Sequence, residues 1–135
     1  MADNKKKLLL AAARKARGKA YAPYSNFRVG AAVLGGNGRI YSGCNVENAS
    51  FGLTCCAERN AVFAMVADGE KRLREVLVIG GNAGFLPPCG ACRQVLAEFA
   101  MPTARVHMCD AKGTCRSTTL GELLPFIFHL HQRGK

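Results

Sequence analysis

Two cysteine motifs constrain the fold of this chain more than any other feature of its sequence. The first is Cys56-Ala57-Glu58, and the second is Pro88-Cys89-Gly90-Ala91-Cys92. A C-x-x-C pair whose first cysteine begins a helix presents two thiolates to a single ion, and Zn–S bonds of about 2.3 Å limit how far away a third ligand can lie. We therefore expect the chain to bring the beginnings of two helices, at Cys56 and Cys89, to one point.

The predicted zinc ligands are Cys56, Cys89 and Cys92. The positive end of a helix lowers the pKa of a nearby thiol and so favours the thiolate that zinc requires. Three protein ligands leave one tetrahedral position open, which is typical of catalytic zinc. From the residues alone, Cys44 remains the alternative fourth ligand that would close the site. Cys55 is disfavoured, because neighbouring side chains on a helix diverge by about 100°.

Glu58 favours the catalytic interpretation. It follows Cys56 by two residues, so it can lean over the open position without binding the metal, where it can take a proton from an activated water and return it. The alternative is an acid that is favoured only by the helix dipole. We expect Arg59 to bond to the sulfurs and withdraw negative charge. For Arg93 the same role and a solvated helix face remain equally open.

The size and the cysteine content of the chain suggest its general class. A chain of 135 residues suits one domain, residues 1–135, that buries its own core. Its seven cysteines are an odd number, so a full disulfide framework would leave one unpaired. We therefore predict a reducing compartment, with Cys109 and Cys115 as small packing residues. No segment has the roughly 18 apolar residues of a membrane span, and the predicted location is cytoplasmic.

The formal net charge of +10 raises the question of a nucleic-acid partner. The basic residues gather mostly at the two ends of the chain and are not interleaved with aromatic residues. Nucleic-acid binding surfaces usually combine both features. We therefore do not expect nucleic acid as a partner, and we attribute the charge to solubility.

The apolar periodicity predicts an α/β architecture with alternating helices and strands. A first helix has apolar residues at positions 8, 9, 12, 13, 16 and 20 on one side. The further predicted elements are strands 27–34 and 39–44 joined at Asn37-Gly38, helix 56–67, strand 75–80, helix 89–99, and strands 104–109 and 115–119.

Several segments together resemble the small, homotetrameric, zinc-dependent cytidine deaminases. These segments are 24–31 (YSNFRVGA), 43–51 (GCNVENASF), 56–59 (CAER), 88–95 (PCGACRQV) and 122–125 (ELLP). The resemblance covers about residues 21–128, and zinc deaminases share the acid-containing and P-C-x-x-C motifs. It implies an αβα layered fold with a five-stranded mixed sheet, and one zinc per chain on the three cysteines with Glu58 as proton shuttle.

The resemblance also implies the substrate contacts. Asn45 and Glu47 would hold the ribose, chiefly its 3′-hydroxyl, and Phe27 would pack on the cytosine ring. Phe51 stands where relatives often carry Tyr. Phe128 would reach across a subunit interface toward the bound base. The remaining implied contacts are Val46, Asn48, Ala49, Ser50 and Ala57.

The implied activity is the hydrolytic deamination of cytidine and 2′-deoxycytidine to uridine and 2′-deoxyuridine, with release of ammonia, in pyrimidine salvage. The alternatives are a deaminase of a cytosine-nucleoside antibiotic, a deaminase of cytosine within nucleic acid, and a zinc-stabilised binding module without catalysis. The sugar-contacting pair at 45 and 47 argues against nucleic acid, and Glu58 argues against the binding module.

Overall fold

A five-stranded mixed sheet organises the chain. The structure is a computed structural model that describes residues 2–81 and 84–130. Strands lie in the order β2-β1-β3-β4-β5, in which β3 and β4 are parallel and the other neighbours are antiparallel. The strands are β1 (Gly30–Gly35), β2 (Ile40–Cys44), β3 (Leu73–Ile79), β4 (Ala100–Cys109) and β5 (Cys115–Thr119). The predicted α/β class and the mixed sheet are confirmed.

Helices cover both faces of this sheet. They are α1 (Ala2–Arg17), α2 (Ala57–Ala67), α3 (Gly90–Phe99) and the short α4 (Leu120–Leu123), with a 3₁₀ turn at Phe51–Leu53. One core cluster lies between the sheet and α2 and α3, and it includes Val33, Val62 and Met65. The second lies beneath α1 and includes Leu9 and Leu77. Within the described residues, no helix has both the length and the apolar character that crossing a bilayer requires.

Some element boundaries differ from the predictions. Strand β4 begins at Ala100 rather than at 104, so Pro102 lies inside it. The pairing with β3 is irregular there, since Leu73 pairs with Ala100 but Glu75 pairs with Arg105. A proline lacks the N–H of a regular ladder and is tolerated at such an irregularity. The short helix α4 was not predicted, and Leu8 is exposed because α1 buries a narrower stripe than expected.

Cys109 is buried in the core beneath α1 and Cys115 packs against it, as predicted, but the expectation that these two cysteines form no disulfide is wrong. The two form a disulfide, and they are directly opposite partners in the antiparallel pairing of β4 and β5. The turn between them brings residues only six positions apart into cross-strand contact. An odd number of cysteines excludes a complete framework but not a single bond. Within the described residues, the five other cysteines carry free thiols.

Gly43 sets how closely α2 approaches the sheet. A Cβ atom at this position would lie 2.5 Å from the backbone nitrogen of Ala61 and 2.8 Å from the carbonyl oxygen of Ala57. Nearby, Asn60 donates a side-chain hydrogen bond of 2.8 Å to the carbonyl oxygen of Cys44. The glycine and this bond hold the first turn of α2 directly against the end of β2.

Candidate active site

Three cysteine sulfurs meet where α2 and α3 begin. Cys56 is the N-cap residue of α2 and Cys89 is the N-cap residue of α3, while Cys92 lies in the first turn of α3. Their Sγ atoms lie within 4.8 Å of one another, with 3.8 Å between Cys56 and Cys89 and 3.5 Å between Cys89 and Cys92. A tetrahedral zinc with Zn–S bonds of about 2.3 Å separates its sulfurs by about 3.8 Å. The donor set therefore fits zinc.

The two other candidate cysteines stay outside this cluster. Among the described residues, the metal-ligand group contains Cys56, Cys89 and Cys92 alone. Cys44 ends β2, where its carbonyl oxygen accepts a hydrogen bond from the side chain of Asn60. The backbone of Cys55 is paired with that of Val46. The arrangement favours a site with three protein ligands and an open fourth position.

The thiols of the cluster differ in proton affinity. A hydrogen bond from Cys92 and one from Arg59 lower the pKa of Cys56 to about 5, against the opposing effect of burial. The pKa of Cys92 is raised, because its proton bonds to Cys56 and because the side chain is buried. Zinc requires deprotonated sulfurs, so binding the metal must expel the proton held between them, and acid must oppose binding.

The two arginines that follow the motifs have different roles. Arg59 donates a hydrogen bond of 3.4 Å from Nη2 to the sulfur of Cys56, as predicted. Arg93 was expected either to bond to the sulfurs or to lie on a solvated helix face, and it does neither. It donates 2.8 Å hydrogen bonds to the carbonyl oxygens of Pro88 and Leu123. Arg93 thus fixes the residue that precedes Cys89 and ties it to the end of α4.

Replacing Arg59 with Gln is expected to weaken zinc binding or turnover by about 10- to 100-fold, the effect typical of a group that bonds to a metal ligand. The physical reason is that three thiolates on a divalent ion carry excess negative charge, which the guanidinium withdraws. Competition with a chelator measures the zinc affinity. Arg74→Gln, at an exposed position on β3, is the matched control. Unchanged affinity and turnover in Arg59→Gln would contradict this role.

Glu58 lies buried beside the sulfurs, in the first turn of α2, with 5% of its surface exposed. Burial raises the pKa of its carboxyl group to about 7, and the neighbouring charge of Cys56 acts in the same direction. A group with a pKa near neutrality both accepts and releases a proton readily. A bound zinc ion would act in the opposite direction and favour the carboxylate. Glu58 therefore has the placement that a proton carrier needs.

A cavity of about 260 Å³ opens onto these groups. It combines the metal ligands and the buried acid with aromatic, amide and carboxylate side chains. Its lining consists of Ser25, Phe27, Val29, Asn45, Glu47, Thr54, Cys56, Ala57, Glu58, Leu86, Pro87 and Cys89. A larger groove of about 640 Å³, lined by residues 36, 71–74 and 98–101, contains neither a cysteine nor a buried acid. The smaller cavity, which contains the cysteines and the buried acid, is therefore the candidate active site.

Asn45 and Glu47 lie in this cavity as the motif predicts. The Asn45 amide is buried, accepts from the backbone N–H of Val29 and donates to the carbonyl oxygen of Phe27, both at 2.8 Å. One amide proton and one oxygen lone pair of Asn45 remain for a ligand. The backbone N–H groups of Tyr24 and Ser25 donate to Glu47. These bonds hold both side chains at the cavity wall.

Other predicted contacts lie farther from the cavity of one chain. Asn48, Ala49 and Ser50 form an exposed turn, and Val46 is 45% exposed. Phe51 lines an adjoining cavity and packs edge-to-face on Tyr24, with 6.1 Å between ring centroids. Phe128 is exposed and does not line the cavity of its own chain.

Sequence reasoning missed several wall residues. Leu86 and Pro87 line the cavity because the segment leading to Cys89 must pass the metal cluster. The two prolines before Cys89 were a usable signal for this wall. Val29 lies within the quoted segment 24–31 and Thr54 just before Cys55, but neither side chain carries a comparable signal. Ser25 lay within a quoted motif, but nothing in the sequence indicated its partner.

Comparison with known proteins identifies the family. A sequence model described as the cytidine and deoxycytidylate deaminase zinc-binding region matches residues 3–108. The chain belongs to this deaminase family. The family description and the cluster of three cysteines together support one zinc ion per chain.

Relatives within the deaminase family resemble the chain over most of its length. A cytidine deaminase of Sporosarcina psychrophila is 47% identical over 120 residues, which cover 89% of this chain and 88% of that protein. One from Mycobacterium tuberculosis is 44% identical over 118 residues, covering 87% and 85%. The crystal structure of cytidine deaminase from Burkholderia pseudomallei superposes with a TM-score of 0.86 at 48% identity, covering 90% of this chain and 98% of that one.

Proposed function

We propose that this chain is a zinc-dependent enzyme that hydrolyses cytidine and 2′-deoxycytidine to uridine and 2′-deoxyuridine, releasing ammonia. The observation that carries the proposal is the position of Glu58. Its buried carboxyl shares one cavity with metal-ligating sulfurs and with the Asn45 and Glu47 side chains. The names of the relatives support the same substrate. The proposed setting is pyrimidine salvage in the cytoplasm, with residues 1–135 acting as one domain.

Zinc on the three thiolates, when bound, supplies Lewis-acid activation of water in this mechanism. Glu58 takes a proton from the attacking water and delivers it to N3 of the cytosine ring. The oxygen of that water adds to C4. Glu58 then carries the second proton to the exocyclic amine, the C4–N bond breaks, and ammonia leaves. One carboxyl group thus serves first as base and then as acid.

The remaining side chains of the cavity orient the nucleoside. Phe27 is partly exposed at the cavity, where its ring offers a flat apolar surface for the base. Glu47 is held as a carboxylate, because hydrogen bonds from Ser25 and the backbone lower its pKa. A carboxylate and an amide are suitable partners for a sugar hydroxyl that loses water on binding.

The direct test is to incubate the purified protein with cytidine, 2′-deoxycytidine and a cytosine-containing oligonucleotide, and to measure ammonia. Release from both nucleosides, and little from the oligonucleotide, is the expected result. Glu58→Gln protein purified in parallel controls for contaminating deaminase. Ammonia from the oligonucleotide alone would favour the nucleic-acid alternative. No release from either nucleoside would contradict the proposal.

The segment that follows α4 exposes apolar side chains that suggest assembly with further copies of the chain. In the segment after α4, Ile127 packs against the core, whereas Phe126, Phe128 and Leu130 are exposed. Three large apolar side chains exposed along one short segment are typical of a surface that binds another protein. We propose a homotetramer in which Phe128 completes the cavity of a neighbouring subunit. The alternative is that these residues pack against the sheet of their own chain.

Mixing two inactive variants tests this assembly. Glu58→Gln and Phe128→Asp chains are each expected to be nearly inactive, but their co-expression should restore part of the activity. In the mixed assembly, an intact Glu58 from one chain meets an intact Phe128 from its neighbour. Ammonia release measures activity, and sedimentation measures the assembly. His129→Ala, at the exposed adjacent position, is the matched control. A fully active monomer would refute the idea.

A further inference from the structure

The carboxylate of Glu47 is held by a short loop rather than by a basic side chain. Its Oε1 atom accepts backbone N–H bonds of 2.9 Å from Tyr24 and 3.2 Å from Ser25. Its Oε2 atom accepts a hydrogen bond from the hydroxyl of Ser25. That hydroxyl bond is the largest of the effects that lower the pKa of Glu47. Ser25 is therefore the one side chain bonded to this carboxylate within the described residues.

The carboxylate of Glu47 has one acceptor site left for a ligand. Each carboxylate oxygen can accept about two hydrogen bonds. The two backbone N–H groups occupy Oε1, and the Ser25 hydroxyl occupies one site on Oε2. One site on Oε2 is left, and both Glu47 and Ser25 line the cavity. The direction of that last site depends on how the Ser25 hydroxyl holds the carboxylate.

The same hydroxyl also bonds to Phe27, the residue proposed to pack on the base. The Ser25 Oγ atom accepts a hydrogen bond of 3.0 Å from the backbone N–H of Phe27. Between them, Asn26 has a positive φ of 58°, a conformation that asparagine tolerates better than most residues. Its N–H closes the turn with a 3.0 Å bond to the carbonyl oxygen of Ala22. Ser25 thus links the proposed sugar contact to the proposed base contact through one oxygen atom.

We propose that Ser25 is the positioning residue for sugar recognition: its hydroxyl directs the remaining acceptor site of Glu47 toward a ribose hydroxyl. The inference rests on the proposed function and extends it, because it assigns discrimination between sugars to a residue beyond the Asn45 and Glu47 pair. Ser25 acts through Glu47 and transfers no proton to the base. Its loss should therefore affect recognition of the sugar more than the chemical step.

The test compares cytidine with 3′-deoxycytidine, which lacks the hydroxyl assigned to Glu47. Ser25→Ala is expected to lower kcat/KM for cytidine about tenfold, mostly through KM, while changing kcat/KM for 3′-deoxycytidine little. The discrimination between the two substrates should therefore fall about tenfold. Ser25→Thr, which keeps a hydroxyl, should retain most of it. Ser42→Ala, at the exposed position of β2, is the control that should leave both substrates unaffected.

A merely structural role predicts a different result. If Ser25→Ala only loosened the loop, both substrates would suffer equally and the discrimination would not change. That result, with an active wild type, would overturn the inference and leave the proposed function intact. Ser25→Cys, a weaker donor, gives the same comparison if Ser25→Ala does not fold. A wild-type chain that releases no ammonia from cytidine would instead refute the proposed function, and this inference with it.

Discussion

Glu58→Gln is expected to lower the turnover of cytidine by a factor of about 10² to 10⁴, the usual contribution of a general acid–base group. The amide has nearly the size of the carboxyl group, so the buried first turn of α2 should remain intact. It can neither take the proton of the attacking water nor return one to the departing amine. The loss should therefore appear in kcat.

Two measurements separate this effect from damage to the site. Metal analysis should find as much zinc in Glu58→Gln as in the wild type, because Glu58 lies beside the cluster without belonging to it. Glu98→Gln, an exposed acid on α3, should retain wild-type turnover. Near-normal turnover in Glu58→Gln would exclude the carboxyl group as proton carrier, whatever the zinc content.

Cys89→Ala is expected to abolish both zinc retention and activity, whereas Cys44→Ala should retain both. The Cys89 sulfur contacts both other sulfurs of the cluster, at 3.8 Å from that of Cys56 and 3.5 Å from that of Cys92. Two remaining thiolates cannot complete a three-ligand site. The loss should exceed the roughly 10- to 100-fold effect of residues that only support a ligand. Metal content after dialysis and ammonia release are the two measurements.

The cysteine variants also decide whether the fourth position is open. Cys55→Ala is a second control, because Cys55 is adjacent to a ligand but lies outside the cluster. If Cys44→Ala lost zinc as completely as Cys89→Ala, four cysteines would close the site. A closed site is typical of structural zinc, and the catalytic interpretation would then be wrong.

Local patterns predicted the metal cluster because helix starts carry their own sequence signals. The motif spacing places Cys89 and Cys92 one turn apart, and the thiol of Cys56 lies at another helix start. Glu58 and Arg59 follow from the same helical geometry. The strands were found within a few residues for a similar reason, since apolar runs bounded by turns indicate buried strands.

Features that depend on register or on distant segments were not predictable in this way. The Cys109–Cys115 bond requires the exact pairing of β4 with β5, which the spacing of two cysteines does not specify. Arg93 bonds to Leu123, thirty residues farther along, and nothing beside Arg93 indicates that partner. The exposed position of Phe128 likewise depends on the path of the chain after α4.

The close contact at Gly43 makes the site sensitive to a residue that touches no ligand. A methyl group there would meet the backbone of α2 at 2.5 Å, so the helix would have to move outward. Cys56 and Glu58 would travel with its first turn, while Cys89 and Cys92 stay on α3. Metal–ligand distances in well-formed sites stay within about 0.2 Å of their usual values. Substitutions that damage the metal site are therefore not confined to its ligands, since they include a position on β2 whose only role is to leave room for the helix that carries Cys56 and Glu58.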